Sequence, residues 1–238
     1  MECQTEKYNL NIVGIHQHLG SLFLNDKISY YIGGVREGLE MIKRYFKNVS
    51  IIDLGGGFGV PYMPEENDLD LMKVARKLET LLVEFKKEYP SVKEFKFEPG
   101  RYIVCESGYI LGTVTAIKHE NDTWWVGTDI GMNELIRPSM YDSYHEIDFL
   151  NDNSGQELIL NVCGNICESG DVLAKDRKKH LPKMGDKIIV YNAGAYGYSM
   201  ASNYTGRPRP AEVMINGNEK KQIRKRETIK CLEENIVW

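Results

Sequence analysis

The sequence of 238 residues lacks long apolar runs and lacks a strong excess of one charge sign. No segment approaches the roughly 18 consecutive apolar residues of a membrane-spanning helix, so we expect no membrane partner. The 30 basic and 34 acidic side chains leave a formal charge of -4, which does not favour nucleic acid as a partner. A basic stretch from Lys220 to Lys230 is interrupted by Ile223 and Glu227, and we interpret it as a solvated strand edge.

Cysteine is scarce, odd in number and dispersed, which argues against a disulfide framework and favours a reducing compartment. The amino terminus carries Glu2, Glu6 and Lys7 before any apolar run, unlike the basic start of a secretory signal. We therefore expect a cytoplasmic protein. The five cysteines are Cys3, Cys105, Cys163, Cys167 and Cys231.

Residues 9–98 alternate between apolar, β-branched runs and helical periodicities, which is typical of a parallel α/β unit. Asp68 is predicted to cap the second helix. The predicted strands are Asn9–Leu19, Val49–Leu54 and Glu94–Glu98, and the predicted helical faces are Val35, Leu39, Ile42 and Phe46, then Leu71, Ala75, Leu78, Leu82 and Phe85.

After Arg101 the pattern changes to short strands separated by Gly, Asn, Asp and Pro, which predicts a mainly antiparallel β domain. The boundary is expected between Arg101 and Gly108, giving domains 1–103 and 104–238. The predicted strands of the second domain are Tyr109–Lys118, Trp124–Gly127, Glu157–Val162 and Lys187–Tyr191.

A glycine-rich stretch, Gly55–Gly59, follows the predicted strand that ends in Asp53 and Leu54. Glycines let a backbone approach an anion, and loop amides can bind phosphate oxygens. The stretch matches neither the Walker motif nor the dinucleotide fingerprint. A tight exit from the strand explains these glycines equally well.

His16 and His18 alternate along the first predicted strand, so both rings would face one side, as a pair of metal ligands requires. The other histidines show no partnering spacing, so packing of one ring and lining of a cavity by the other is the favoured interpretation. No metal site is expected.

Three further sets of polar residues are ambiguous when taken singly. Glu98 and Arg101 follow a strand end, where catalytic groups of α/β barrels gather, but a surface turn tolerates the same residues. Cys167 lies among acidic neighbours, which suits a thiol that exchanges a proton, whereas Cys163 is expected to pack at a strand end. The remaining set, suited to binding carboxylate or phosphate, is Arg137, Tyr141 and Tyr196.

The order of these motifs resembles that of the pyridoxal-phosphate decarboxylases of the alanine-racemase-like barrel fold, and among them most closely the diaminopimelate decarboxylases. The resemblance extends from about Ile12 to the carboxyl terminus, including Arg207–Val213 and Arg226–Thr228. The six motifs are Gly14–Ser21, Asp53–Gly59, Glu98–Arg101, Asp129–Asn133 with Arg137, Pro138 and Tyr141, Cys167–Asp171, and Ala193–Gly197.

The resemblance implies a fold in which the last three strands of a (β/α)8 barrel precede an antiparallel β-barrel or sandwich. It implies pyridoxal 5'-phosphate as cofactor, with His18 stacked on its ring and Glu98 facing its pyridine nitrogen. A carboxylate there keeps the nitrogen protonated, so that the ring accepts the electron pair left when carbon dioxide departs. The phosphate would be held by Ser21, Gly55, Gly56, Gly57 and Tyr196, with Gly100 and Arg101 nearby.

The implied reaction is decarboxylation of meso-diaminopimelate to L-lysine, a step of lysine biosynthesis. Glu168 would bind the distal amine of the substrate, and Cys167 would protonate the carbanion. In this family both residues reach the partner subunit's site, which implies a homodimer. The residues implied to bind the distal carboxylate are Arg101, Arg137 and Tyr141, with Tyr196 also counted among the substrate-binding residues.

The sequence departs from the family pattern in three places. Gly164-Asn165 replaces the usual Gly-Pro, and Leu22 to Leu24 replace the usual Gln after Ser21. The family attaches its cofactor to a lysine in the first barrel strand, which has no counterpart here, and Lys27, Lys43 and Lys47 lie in the wrong context to replace it. We therefore expect a carboxyl-terminal fragment that lacks the Schiff-base lysine.

Three alternatives stay open at this stage. The chain could be a non-catalytic partner of a full-length decarboxylase, contributing Cys167 and Glu168 to that enzyme's site across the interface. It could belong to a related decarboxylase that acts on another amino acid with a charged far end. It could also be a metal-dependent barrel hydrolase that uses His16 and His18.

Overall fold

The computed structural model describes residues 7–150 and 156–237. Cys3 lies outside the described residues. The chain divides into two compact units, Met1–Ile103 and Val104–Trp238. No helix in the described part of the chain combines the length and the apolar character needed to cross a membrane.

The first unit is a parallel three-stranded sheet with connecting helices, which confirms the predicted α/β arrangement. The strand order is β1-β2-β3, and His16 of β1 pairs with Asp53 of β2 while Gly56 of β2 pairs with Glu98 of β3. The elements are β1 (Gly14–His16), α1 (Ile28–Tyr45), β2 (Ile51–Gly56), α2 (Leu71–Glu88) and β3 (Glu94–Glu98), followed in the chain by α3 (Gly100–Val104).

The first strand is much shorter than predicted. Only Gly14–His16 pairs with β2, although the apolar run suggested Asn9–Leu19. His18 therefore lies beyond the strand, and the prediction that His16 and His18 alternate along one strand is wrong. Pairing requires a neighbouring strand, and β2 begins its pairing with β1 only at Ile51.

Both long helices bury one apolar face against the sheet, as the 3.6-residue period requires. In α1 the predicted positions Val35, Leu39 and Ile42 are buried. In α2 the buried face is Val74, Leu78 and Phe85, so the predicted positions Leu71 and Ala75 are wrong because both are exposed.

The cap of α2 is Asp70 rather than the predicted Asp68. The Asp70 side chain accepts a hydrogen bond from the Lys73 amide at 2.9 Å. A capping side chain must directly precede the first helical residue to reach the free amides of the first turn, and Asp68 stands two residues too early.

A buried tyrosine, Tyr89, stabilises the connection between the end of α1 and the start of β2. The Tyr89 hydroxyl donates to the Phe46 carbonyl at 2.6 Å and accepts from the Val49 amide at 3.0 Å. One hydroxyl thus satisfies two backbone groups of a buried connection, which would otherwise be left unpaired.

The second unit is built on a six-stranded sheet of order β6-β9-β4-β5-β7-β8. All neighbouring pairs are antiparallel except β5 and β7, which are parallel. This confirms the prediction of a mainly antiparallel β domain. The elements are β4 (Ile110–Glu120), β5 (Thr123–Thr128), α4 (Arg137–Tyr141), β6 (Ile147–Leu150), β7 (Glu157–Cys163), β8 (Val172–His180), β9 (Lys187–Val190), β10 (Glu212–Asn216), β11 (Glu219–Arg224) and α5 (Ile229–Glu233).

The basic stretch near the carboxyl terminus begins on β11, which among the described strands pairs with β10 alone. Every residue of β11 is exposed. The interpretation as a solvated strand edge is confirmed for Lys220, Lys221 and Arg224, where charge on an exposed edge discourages further strand pairing. It is wrong for the rest of the stretch, because the strand ends at Arg224 and Lys230 lies in α5.

Removal of the Tyr89 hydroxyl tests the buried connection of the first unit. Tyr89→Phe leaves the buried Val49 amide without its acceptor, and we expect a loss of about 1–3 kcal/mol in the free energy of unfolding. Denaturant titration measures this loss. Tyr45→Phe, the same change at a tyrosine that is 57% exposed, is the matched control and should leave stability nearly unchanged. Equal stability of the two variants would contradict the assignment.

Candidate functional site

The carboxyl ends of the three parallel strands bring three titratable side chains together. His16 ends β1 and Glu98 ends β3, and the His16 Nε2 lies 3.3 Å from the Glu98 Oε2. Their ligand atoms and that of Asp53 in β2 all lie within 4.8 Å of one another. Such a group could hold a cation, but it also places an imidazole directly beside a carboxylate that is half-exposed and open to a ligand.

The glycine-rich stretch after β2 is packed between backbone segments on both sides. A methyl group on Gly56 would lie 2.0 Å from the Glu98 carbonyl oxygen, and one on Gly57 would lie 2.3 Å from the Gly20 carbonyl oxygen. Gly57 also has a positive φ of 95°. The tight strand exit therefore explains these glycines, and binding of phosphate must rest on the polar groups around them.

The segment that follows β1 runs directly along this glycine loop. The Phe23 amide donates to the Gly57 carbonyl, and the Gly59 amide donates to the Phe23 carbonyl, each at 2.9 Å. A methyl group on Gly55 would lie 3.1 Å from the His18 Nδ1, so the imidazole rests against the loop. His18 is nevertheless exposed.

A guanidinium and a hydroxyl meet at the same end of the first unit. The Arg101 Nη2 lies 3.4 Å from the Ser21 Oγ, and its Nη1 donates to the Tyr62 hydroxyl at 2.6 Å. Side chains of this kind bind phosphate oxygens through charge-assisted hydrogen bonds. Gly100, beside Arg101, is exposed and has open space where a side chain would stand.

These groups fit pyridoxal phosphate. The cofactor requires an anion-binding set for its phosphate and a carboxylate for its protonated pyridine nitrogen. Arg101 and Ser21 supply the first, and the Glu98 carboxylate supplies the second. The donor set of the first unit therefore matches the chemistry of the group that the motifs imply.

In the second unit a buried aspartate fixes the loop that carries Cys167 and Glu168. Asp171 is 3% exposed, and its carboxylate accepts from the Met132 amide at 2.7 Å and from the Ile166 amide at 3.2 Å. Two of the sequence motifs, Asp129–Asn133 and Cys167–Asp171, are thus joined through one side chain.

Glu168 is held as a carboxylate on this loop. Its Oε1 accepts from the Gly170 amide at 3.1 Å, and its Oε2 accepts from the Tyr204 hydroxyl at 3.3 Å. The Gly170 amide and then the Tyr204 hydroxyl lower the pKa of Glu168, so the group stays ionised at neutral pH. An ionised carboxylate is suited to bind an ammonium group.

The two cysteines of the region differ as the sequence predicted. Cys167 is exposed on the loop, whereas Cys163 is half-buried at the end of β7. Burial, and then the charge of Asp171, raises the pKa of the Cys163 thiol. Cys163 therefore stays protonated and shielded, and Cys167 is the thiol that a ligand can reach.

The short helix α4 places a guanidinium beside a phenol ring. Arg137 is buried at the first position of α4, and its Cζ lies 5.7 Å from the centre of the Tyr196 ring. Tyr141, at the end of α4, is exposed. The Ser139 hydroxyl donates to the Gly170 carbonyl at 2.6 Å, which ties α4 to the loop of Cys167 and Glu168.

The structure adds residues that the sequence did not single out as functional. Asp53 accepts from the Gly55 amide at 2.9 Å and so shapes the glycine loop. Asp171 ends the motif Cys167–Asp171, and its buried carboxylate holds the backbone of that loop. His145, which showed no partnering spacing, lies 3.3 Å from the Arg137 guanidinium. A polar residue inside a motif was the available signal for the two aspartates, and no signal marked His145.

Known proteins resemble this chain over nearly its whole length. The diaminopimelate decarboxylase of Methanothermobacter thermautotrophicus is 39% identical over 228 residues, which cover 92% of this chain and 52% of that protein. The diaminopimelate decarboxylase of Aquifex aeolicus is 37% identical over 226 residues, covering 92% and 51%. The chain thus spans about half the length of these relatives.

Solved structures give the same result. A crystal structure of diaminopimelate decarboxylase from M. jannaschii in complex with L-lysine superposes with a TM-score of 0.87 at 32% identity, covering 99% of this chain and 56% of that one. The family model described as pyridoxal-dependent decarboxylase, C-terminal sheet domain, matches residues 23–194. The chain therefore belongs to the family of pyridoxal-dependent decarboxylases.

Proposed function

We propose that this chain takes part in the pyridoxal-phosphate-dependent decarboxylation of meso-diaminopimelate to L-lysine. The proposal rests on one observation: the chain leaving β3 carries the Glu98 carboxylate and, three residues later, the Arg101 guanidinium, which contacts the Ser21 hydroxyl. The relatives named as diaminopimelate decarboxylases, at 37–39% identity, support the reaction and the substrate.

The first unit would bind and orient the cofactor. When bound, pyridoxal phosphate supplies the electron sink that accepts the electron pair left by departing carbon dioxide. Glu98 would hold a proton on the pyridine nitrogen, and His18 would pack on the ring. The phosphate would be bound by the side chains of Ser21 and Arg101, with the Gly55–Gly57 loop and Gly100 beside them.

The second unit would recognise the far end of the substrate and supply a proton. Arg137, Tyr141 and Tyr196 would bind the distal carboxylate. Glu168, an exposed carboxylate held by the Gly170 amide and the Tyr204 hydroxyl, would bind the distal ammonium. The exposed Cys167 thiol would donate the proton that replaces carbon dioxide. The M. jannaschii relative crystallised with L-lysine supports an amino acid with an amine at its far end.

We further propose a homodimer in which the loop of Cys167 and Glu168 completes the site of the partner subunit. Support comes from the rigid construction of this loop around Asp171 and from the exposure of the Cys167 thiol. We place the activity in the cytoplasm, since the described cysteines, Cys105, Cys163, Cys167 and Cys231, are not joined in disulfides.

The lysine that carries the cofactor in this family is proposed to lie outside this chain. Lys43 pairs with Glu40 and Glu88, and these hydrogen bonds raise its pKa and keep it protonated, which makes it a poor nucleophile. Pyridoxal phosphate added to the chain and reduced with borohydride should therefore leave only scattered, substoichiometric adducts in peptide mass spectrometry. One stoichiometric adduct on a single lysine would overturn this proposal.

A chimera tests the proposed reaction. The part of the Aquifex aeolicus relative that the match does not cover is joined to this chain, and release of carbon dioxide from diaminopimelate is measured. We expect activity, and a loss of at least about 100-fold for Cys167→Ser, because general acid catalysis contributes that much. Cys231→Ser, at an exposed cysteine of the same unit, is the control. Activity only with another amino acid would contradict the proposed substrate.

Co-expression of two inactive chimeras tests the shared site. Cys167→Ser and Glu98→Ala should each be inactive, but a mixed dimer keeps one site with both groups intact. Random pairing predicts recovery of about a quarter of the wild-type rate. Absence of recovery, with mixed dimers confirmed by two affinity tags, would show that Cys167 acts within its own subunit.

A further inference from the structure

A buried histidine lies against the guanidinium of Arg137. His145 is 0% exposed and follows α4 in the chain. Its Nε2 lies 3.3 Å from the Arg137 Nε, and its Nδ1 lies 2.9 Å from the Tyr191 carbonyl oxygen. Each ring nitrogen therefore faces one partner, a hydrogen-bond donor at Nε2 and a hydrogen-bond acceptor at Nδ1.

These partners determine the protonation of the ring. A guanidinium can only donate hydrogen bonds, so the His145 Nε2 must accept. A carbonyl oxygen can only accept, so the Nδ1 must carry a proton and donate. The neutral ring protonated on Nδ1 is the one form that satisfies both contacts.

The guanidinium of Arg137 favours the same form. Arg137 faces the ring from α4, and the Arg177 Nη2 on β8 donates to the His145 carbonyl at 3.3 Å. A protonated imidazole would direct an N–H group at an N–H group of Arg137 and place a second positive charge against that guanidinium.

The chain after α4 folds back to hold the first residue of that helix. Asp142 adopts a left-handed conformation with φ of 49° and ends α4. Ser143 then accepts from the Arg137 Nη2 at 3.2 Å, and His145 accepts from the Nε. Two contacts on different nitrogens fix the plane of the guanidinium, which bidentate binding of a carboxylate requires.

We propose that His145, neutral and protonated on Nδ1, is a positioning residue that orients Arg137 for recognition of the distal carboxylate of the substrate. The inference rests on the proposed function, in which Arg137 binds that carboxylate. His145 itself touches neither substrate nor cofactor and acts through the guanidinium.

Nuclear magnetic resonance of the chain itself tests the tautomer. Long-range nitrogen–proton spectra of the histidine-labelled protein at neutral pH distinguish the two neutral tautomers from the charged ring, and the signal lost in His145→Gln identifies the residue among five histidines. We expect the neutral ring protonated on Nδ1. A charged ring, or a ring protonated on Nε2, would overturn the inference.

Substrate discrimination in the chimera tests the positioning role. His145→Leu should raise the KM for diaminopimelate about tenfold, the effect expected when a hydrogen bond to a charged group is lost. Inhibition by 1,5-diaminopentane, which has both amines but no carboxylate, should change less than about twofold. His119→Leu, at an exposed histidine of the same unit, is the matched control.

The outcomes separate the two claims. Equal weakening of diaminopimelate and 1,5-diaminopentane would mean that His145 is merely structural, and no change in either would mean that it does not position Arg137. If the unmodified chimera fails to decarboxylate diaminopimelate, the proposed function fails, while the resonance experiment still decides the state of His145. If His145→Leu does not fold, the resonance experiment on the unmodified chain likewise decides the state of His145.

Discussion

The close approach of three backbone segments at the carboxyl ends of β1, β2 and β3 is the constraint on which the first unit depends. The loop after β2 leaves no room for a side chain at Gly56 against Glu98, or at Gly57 against Gly20. This packing sets the positions of His18 and Glu98 on either side of the loop. The glycines are thus required by the protein itself, and the polar groups they bring together provide the chemistry.

In the second unit a buried carboxylate, rather than close packing of glycines, holds backbone segments in fixed positions. Asp171 accepts from amides of two separate loops, so the loop of Cys167 and Glu168 is held from within. A buried carboxylate is tolerated only when its hydrogen bonds are satisfied, and here they also determine the conformation of the loop. The internal hydrogen bonds of Asp171 hold the loop in place before any ligand binds. The loop can therefore present the exposed Cys167 thiol and the Glu168 carboxylate in fixed positions.

Local patterns predicted much of this structure, and pairings between distant segments were the part they could not predict. β3 was predicted at its observed bounds because Glu94–Glu98 is followed at once by Pro99 and Gly100. The prediction of β1 was too long because an apolar run does not show where a partner strand begins. The strand β8 was missed because five of its nine residues are charged, and its pairing with β7 is what makes it a strand.

The candidate site likewise has residues that the sequence predicted and contacts that it could not predict. The motif series led to Glu98, Arg101, Cys167 and Glu168, but the contact between His145 and Arg137 follows no periodicity and depends on the turn at Asp142. The paired position of Asp53 and His16 likewise arises only when β1 and β2 align. Polar contacts made across a turn or between strands carry no signature in the order of residues.

Calorimetric titration of the chain with pyridoxal phosphate decides whether the ends of β1 to β3 form the phosphate site. We expect saturable binding that weakens at least about tenfold in Arg101→Met, because a charge-assisted contact to phosphate is lost. Arg36→Met, at an exposed arginine of α1 in the same unit, should bind like the wild type. No saturable binding by the wild type, or equal affinity of the two variants, would contradict this placement of the site.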